Sequence, residues 1–228
     1  MRKFYVGLLL FLPVIVYGQN IQLHYDGTRG MRSNSPPRNY LTATLDFYKT
    51  DDHGSFWWFV DFDFDDDNEI GLAYVEIARD QTIGRFPLRA HLEFNGGLVS
   101  NETMSNSYHI GVMYPYGFKE LYFDVALMYS YTTGSEKHND MKFALNWSAD
   151  IFEDKVSIIG FFNLWSQDAA MNSSMKTGKN LCILSEPQFW YNLNRSFSIG
   201  SEIEFSYNFL YDVRNIQVYP TLAVRYFF

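Results

Sequence analysis

Apolar and other residues alternate with period two along most of the chain. Phe197, Ile199, Ile203, Phe205, Tyr207 and Phe209 fall on one face of a run, against Ser198, Gly200, Glu202, Glu204, Ser206 and Asn208. The last run repeats the pattern, with Ile216, Val218, Leu222, Val224, Tyr226 and Phe228 opposing Gln217, Tyr219, Thr221, Ala223 and Arg225. Near the start, Phe56, Trp58, Val60, Phe62 and Phe64 oppose Trp57, Phe59, Asp61, Asp63 and Asp65. A strand sends successive side chains to opposite faces, so the pattern predicts strands with two unlike surfaces. Similar runs cover 20–26, 39–50, 70–80, 87–98, 107–116, 119–132, 140–152, 155–166 and 180–191, twelve strands in all. Turn chemistry such as Asp51-Asp52-His53-Gly54, Tyr116-Gly117 and Asn192-Leu193-Asn194-Arg195 separates them. Pro220 lies inside the last run and predicts a local bulge, since proline gives no N–H to a ladder.

The interior of a soluble barrel could not hold the Phe, Tyr, Trp and Leu of twelve strands. A transmembrane β-barrel inverts the arrangement, with apolar residues toward lipid and polar residues toward a lumen. Strands of about ten residues and an even count fit that class. Closure removes the unpaired edges that lipid cannot solvate. The expectation is an all-β fold, a closed antiparallel transmembrane barrel of about 12 strands over 19–228.

Composition agrees. Aromatics reach 19% of 228 residues while mean hydropathy is only −0.20, as expected of a chain greasy on one face. The net charge of −8 argues against a nucleic-acid partner, which needs clustered Lys and Arg. A lone cysteine, Cys182, excludes an internal disulfide and a multi-cysteine zinc site. Asp61-x-Asp63-x-Asp65-Asp66-Asp67-Asn68 superficially resembles a calcium loop. Asp66 stands where such a loop needs glycine, so no metal or other cofactor is expected. Met1-Arg2-Lys3 followed by the apolar run 4–17 and Gly18 reads as a secretory signal peptide over 1–18, cleaved after Gly18. Export without paired cysteines suits a bacterial envelope protein, with outer-membrane lipid and lipopolysaccharide as surroundings. The terminal Phe228 on an amphipathic strand resembles the signal read by the barrel-assembly machinery.

Connection lengths orient the barrel, because this class has short periplasmic turns and longer outer loops. With the N-terminus inside, the outer loops are 27–38, 65–70, 98–106, 132–139, 167–179 and 208–215. The stretch Gln81 to Pro87 is a longer turn on the periplasmic side.

Several stretches resemble a known family. Gln22-Leu23-His24-Tyr25-Asp26-Gly27-Thr28-Arg29-Gly30 before Arg38-Asn39-Tyr40-Leu41 is similar to the start of the nucleoside-specific channels of the Tsx type. Phe59 to Asp63, Tyr74 to Arg79 and Ile159 to Trp165 resemble later stretches of the same family in order. The chain is also similar to small outer-membrane barrels of unknown function from Bacteroides-type bacteria. The resemblance implies a narrow pore for nucleosides, in a chain shorter than those channels.

The lumen face read from alternation supplies candidate solute-binding residues: Asp61, Asp63, Tyr74, Glu76, Arg89, Glu93, Trp165, Glu186, Trp190, Glu202, Glu204 and Arg225. Aromatics offer platforms for flat bases, and carboxylates accept from ribose hydroxyls. An acidic lumen repels phosphates. The leading expectation is passive uptake of small hydrophilic solutes, nucleosides being the family-implied case, with no catalytic residue. The alternative is a closed structural or accessory barrel, in which Glu76, Arg89, Glu93, Glu202, Glu204 and Arg225 pair and fill the lumen. A third reading is an outer-membrane hydrolase using His109 or His138 as base, for which no serine motif is evident.

Overall fold

The computed structural model describes residues 19–27, 40–64, 69–99, 102–135, 139–168, 178–209 and 215–228. The expected signal peptide, most of the outer loops, Asp65 to Asp67 and His138 lie outside these residues.

The described residues form one antiparallel barrel of twelve strands. They are β1 (Gln19–Asp26), β2 (Tyr40–Asp51), β3 (Gly54–Phe64), β4 (Ile70–Thr82), β5 (Arg89–Val99) and β6 (Ser107–Phe118). β7 (Leu121–Thr132), β8 (Asp140–Ile151) and β9 (Val156–Asp168) follow. β10 comes in two segments, Lys179–Ser185 and Gln188–Asn192, before β11 (Phe197–Tyr207) and β12 (Gln217–Phe227). Each pairs with its sequence neighbours, and β1 pairs with β12 from Asn20↔Phe227 to Asp26↔Thr221, which closes the barrel. A two-residue strand, Glu102–Thr103, folds back onto the end of β5.

Burial follows the pleat. In β1, Asn20, Gln22, His24 and Asp26 are buried, while Ile21, Leu23 and Tyr25 are exposed. The same parity runs through Ile77, Leu92, Ile110, Val112, Leu127, Phe189, Ile199 and Leu222, all large, apolar and exposed. A protein that showed this band to water would aggregate; a bilayer covers it. No described helix is long and apolar enough to cross a membrane, so crossing is by strands.

One end carries the short connections, the periplasmic end by the rule above. His53 N–H donates to Asp51 Oδ1 at 2.8 Å and shapes the β2–β3 turn. Arg79 donates to the two Asp51 carboxylate oxygens at 2.6 and 3.0 Å, which holds that exposed carboxyl down to about 2. The 81–87 stretch is indeed the longer turn: Phe86 N–H closes on Ile83 O at 3.1 Å, and the β4–β5 register below it is unbroken.

Pro220 makes no bulge, contrary to the expectation from its type. The β11–β12 register is the same on both sides, with Gly200↔Ala223 and Ile203↔Pro220. Side chains replace the missing ladder: Glu202 N–H donates to Thr221 Oγ1 at 3.2 Å and Ser201 Oγ to Thr221 O at 2.6 Å. On the other side of the strand, Ile203 N–H donates to Pro187 O at 3.0 Å in the β10–β11 register, at the break in β10.

Candidate functional site: the barrel lumen

Inward positions come from adjacent strands at matching register, so each side chain's neighbours are set by pairing. Glu76 on β4 faces Asn95 on β5, Glu93 faces His109 on β6, and His109 faces Ser130 on β7. Lys142 on β8 crosses to this group. Its Nζ lies 2.6 Å from Glu93 Oε1 and 3.9 Å from Glu76 Oε1. His91 bridges Asp80 at 2.7 Å and Glu93 at 3.2 Å, and Tyr74 O–H donates to Glu76 at 3.0 Å. Beneath Lys142, Met113, Ala126, Met128 and Ala144 form a buried apolar cluster inside the lumen. At this level the β5–β8 sector is filled.

The β12–β1 sector is filled too, by a different device. Arg225, 4% exposed, stacks between Trp190 at 4.4 Å and Phe227 at 4.6 Å. Trp190 is 1% exposed and donates from Nε1 to Gln188 Oε1 at 3.0 Å. The indole lies over Gly200: a Cβ there would come within 2.6 Å of Trp190 Cε3. His24 meets Trp190 edge-on at 5.9 Å and passes a hydrogen bond to Gln22, which donates to Asn20. Tyr219, buried, bonds Gln217 beside them.

Between these sectors a set of lumen-facing side chains is half-buried, alongside buried ones such as Ala78, Cys182 and Glu204. On β2–β4 the half-buried ones are Thr42, Thr44, Asp46, Trp57, Phe59, Asp61, Asp63 and Tyr74. Opposite, on β9–β11, they are Phe161, Asn163, Trp165, Glu186, Gln188 and Glu202. These two walls bound a slot. Trp57, Phe59 and Tyr74 form an aromatic ladder with centroid spacings of 5.2 and 5.7 Å. Neutral donors orient the carboxylates: Thr44 to Asp61 at 2.5 Å, Thr42 to Asp63 at 2.6 Å, and both Asn20 and Trp57 to Asp46. Across the slot, Gln188 donates to Glu202 at 2.6 Å.

The expected site residues therefore separate. Asp61, Asp63, Tyr74, Trp165, Glu186 and Glu202 line the slot. Glu76 and Glu93 belong to the Lys142 network, Trp190 and Arg225 to the stacked sector, and Glu204 is buried against Ser206 at 2.7 Å. Arg89 stands at the periplasmic end of β5, opposite Met113. The single network of Glu76, Arg89, Glu93, Glu202, Glu204 and Arg225 weighed from sequence is corrected to at least two separate groups, because Lys142 draws in Glu76 and Glu93 alone. Phe59, Phe161, Asn163 and Asp80 were missed as site residues, although period-two counting from Trp57, Trp165 and Glu76 places each on the lumen face.

The structure also supplies a partner for His109 that no motif revealed. His109 Nδ1 lies 2.6 Å from Ser130 Oγ, and its Nε2 is 3.6 Å from Glu93 Oε1. Ser130 is 3% exposed and its strand backbone is engaged in ladders on both sides, so no substrate reaches it and no free N–H faces it. The triplet reads as part of the packed sector. A groove of about 420 Å³ is lined mainly by side chains of the exposed, lipid-facing parity, among them Ile77, Leu92, Phe94, Tyr108, Ile110 and Tyr131.

A closed antiparallel barrel with an apolar outside and a largely polar inside defines a transmembrane barrel of the outer-membrane class. A family model described as a domain of unknown function, DUF5020, matches residues 18–228, and the chain belongs to that family. No curated protein matches it. Among solved structures it is similar to the NanC porin, with 12% identity and a TM-score of 0.57, covering 92% of this chain and 98% of that one. It is similar to the KdgM porin at 10% identity and a TM-score of 0.52, covering 92% and 99%. The same porin in complex with disordered oligogalacturonate gives 9% and 0.51, covering 92% of this chain and 99% of that one. These likenesses establish the fold.

Proposed function

We propose that the protein is a passive outer-membrane channel for small hydrophilic solutes, with nucleosides as candidate cargo. The observation that carries this reading is the slot: a closed barrel whose lumen is filled in two sectors and left half-exposed between them. A purely structural barrel gains nothing from an aromatic ladder facing water. The similar folds are porins, and the resemblance to Tsx-type channels names nucleosides. Bases stack on Trp57, Phe59 and Tyr74 while neighbouring carboxylates accept from ribose hydroxyls. Such contacts hold a solute loosely enough for it to leave. No covalent step is needed. An export signal over 1–18 and delivery of the chain by the barrel-assembly machinery through Phe228 belong to the same proposal.

Refolded protein in a planar bilayer is expected to give small conductance steps that adenosine, then uridine, block in a concentration-dependent manner. Stacking on an aromatic contributes about 1–3 kcal/mol per base, so Trp57→Ala should weaken block by roughly tenfold. Steps without block would leave a general pore. Absence of steps from protein with normal heat-modifiable gel mobility would favour the closed accessory barrel, for which the Lys142 and Arg225 sectors are the supporting observation.

A further inference from the structure

We infer that the slot is a cation-selective passage that also takes organic ammonium ions and turns away polyanions, an inference that rests on the channel reading. Three observations converge. Among the described lumen-facing positions of β2–β4 and β9–β11 there is no Lys or Arg. Among the described residues the cations near the lumen are held elsewhere: Lys142 is 5% exposed and bound to Glu93 and Glu76, Arg225 is 4% exposed under aromatic rings, Arg89 lies at the periplasmic end of β5, and Lys179 at the outer end of β10 pairs with Asp140 and Asp168. On the slot wall, Asp46 and Asp61 accept hydrogen bonds from neutral groups, Asn20, Trp57 and Thr44, which orient them, and Arg225 is the one cation close enough to act on Asp46 among the described residues.

Charge segregation of this kind gives a narrow pore its sign. Low-dielectric walls focus the field of the carboxylates into the passage, raising cation and lowering anion concentration there. The ladder of Trp57, Phe59 and Tyr74 adds a second attraction, because an ammonium group is drawn to an aromatic face within about 6 Å of its centroid. Ladder and carboxylates lie on the same wall, so a cation that leaves one ring meets an acid or the next ring. Oligogalacturonate, the polyanion held in one of the similar porin structures, carries the charge that this wall repels.

The test is the reversal potential of full-length protein in a planar bilayer under a KCl gradient, repeated with tetramethylammonium chloride. The sign expected is that of a cation-selective pore in both salts. Asp46→Asn with Asp61→Asn should reduce the cation-to-anion permeability ratio by roughly twofold or more. An anion-selective or unselective potential in the parent overturns the inference and leaves the channel standing. An unchanged ratio in the double variant, shown folded by heat-modifiable mobility, also overturns it. No current in any salt overturns the channel reading itself, and this inference with it.

Discussion

Lys142→Met is expected to destabilise the barrel by about 3–5 kcal/mol, the cost of leaving buried carboxylates without their cation. Lys142 Nζ sits 2.6 Å from Glu93 and 3.9 Å from Glu76, and all three residues are buried. Without the ammonium, two acids on adjacent strands face each other in a packed sector. His91, at 3.2 Å from Glu93, offsets part of the loss. Relaxation of the lumen toward the slot lets in water, which places the effect nearer the lower figure. The control is the triple variant Lys142→Met, Glu76→Gln, Glu93→Gln. A neutral network carries no unpaired charge, so most of the stability should return. Urea titration of folding into lipid vesicles, read by tryptophan fluorescence, measures both. A loss under about 1 kcal/mol for Lys142→Met, in the range of an exposed pair, would mean that the sector is hydrated and the network contributes little.

Val112→Arg is expected to cost about 2–4 kcal/mol, because a charged side chain at mid-bilayer on the lipid face is poorly solvated. Val112 lies midway along β6 on the exposed parity, opposite Leu127 on β7 and Ala90 on β5. Tyr116 shares its face closer to the periplasmic end and is half exposed. Tyr116→Arg should cost only about 0–1 kcal/mol, since its guanidinium reaches the interface. The difference between the two sites, in the same vesicle titration, reports depth. Equal costs would contradict the membrane placement of β6.

Period-two alternation was sufficient for strand number and the two faces, but not for every limit: the turn expected at Tyr116-Gly117 falls at Lys119-Glu120, because alternation runs on to Phe118, and the run 180–191 breaks at Glu186-Pro187. A strand has one side-chain geometry, and a bilayer outside with water inside forces unlike residues onto its two surfaces. That is why Asp61, Tyr74 and Glu202 could be assigned to the lumen from spacing alone. Pro220 misled, because residue type reports the missing N–H but not the Thr221 and Ser201 hydroxyls that stand in for it. Ser130 was invisible as the partner of His109, since they are 21 positions apart and meet only through the β6–β7 register.

The chain by itself determined a barrel, its closure and which residues look inward, because these follow from local alternation and from the absence of tolerable edges in lipid. It did not determine how the inward residues divide. Whether Glu76 lines a passage or seals a sector depends on Lys142 reaching it from four strands away, and whether Arg225 faces a solute depends on Trp190 and Phe227 covering it. Such pairings cross the lumen rather than run along a strand. Side-chain length and barrel curvature set them, and neither leaves a period in the sequence.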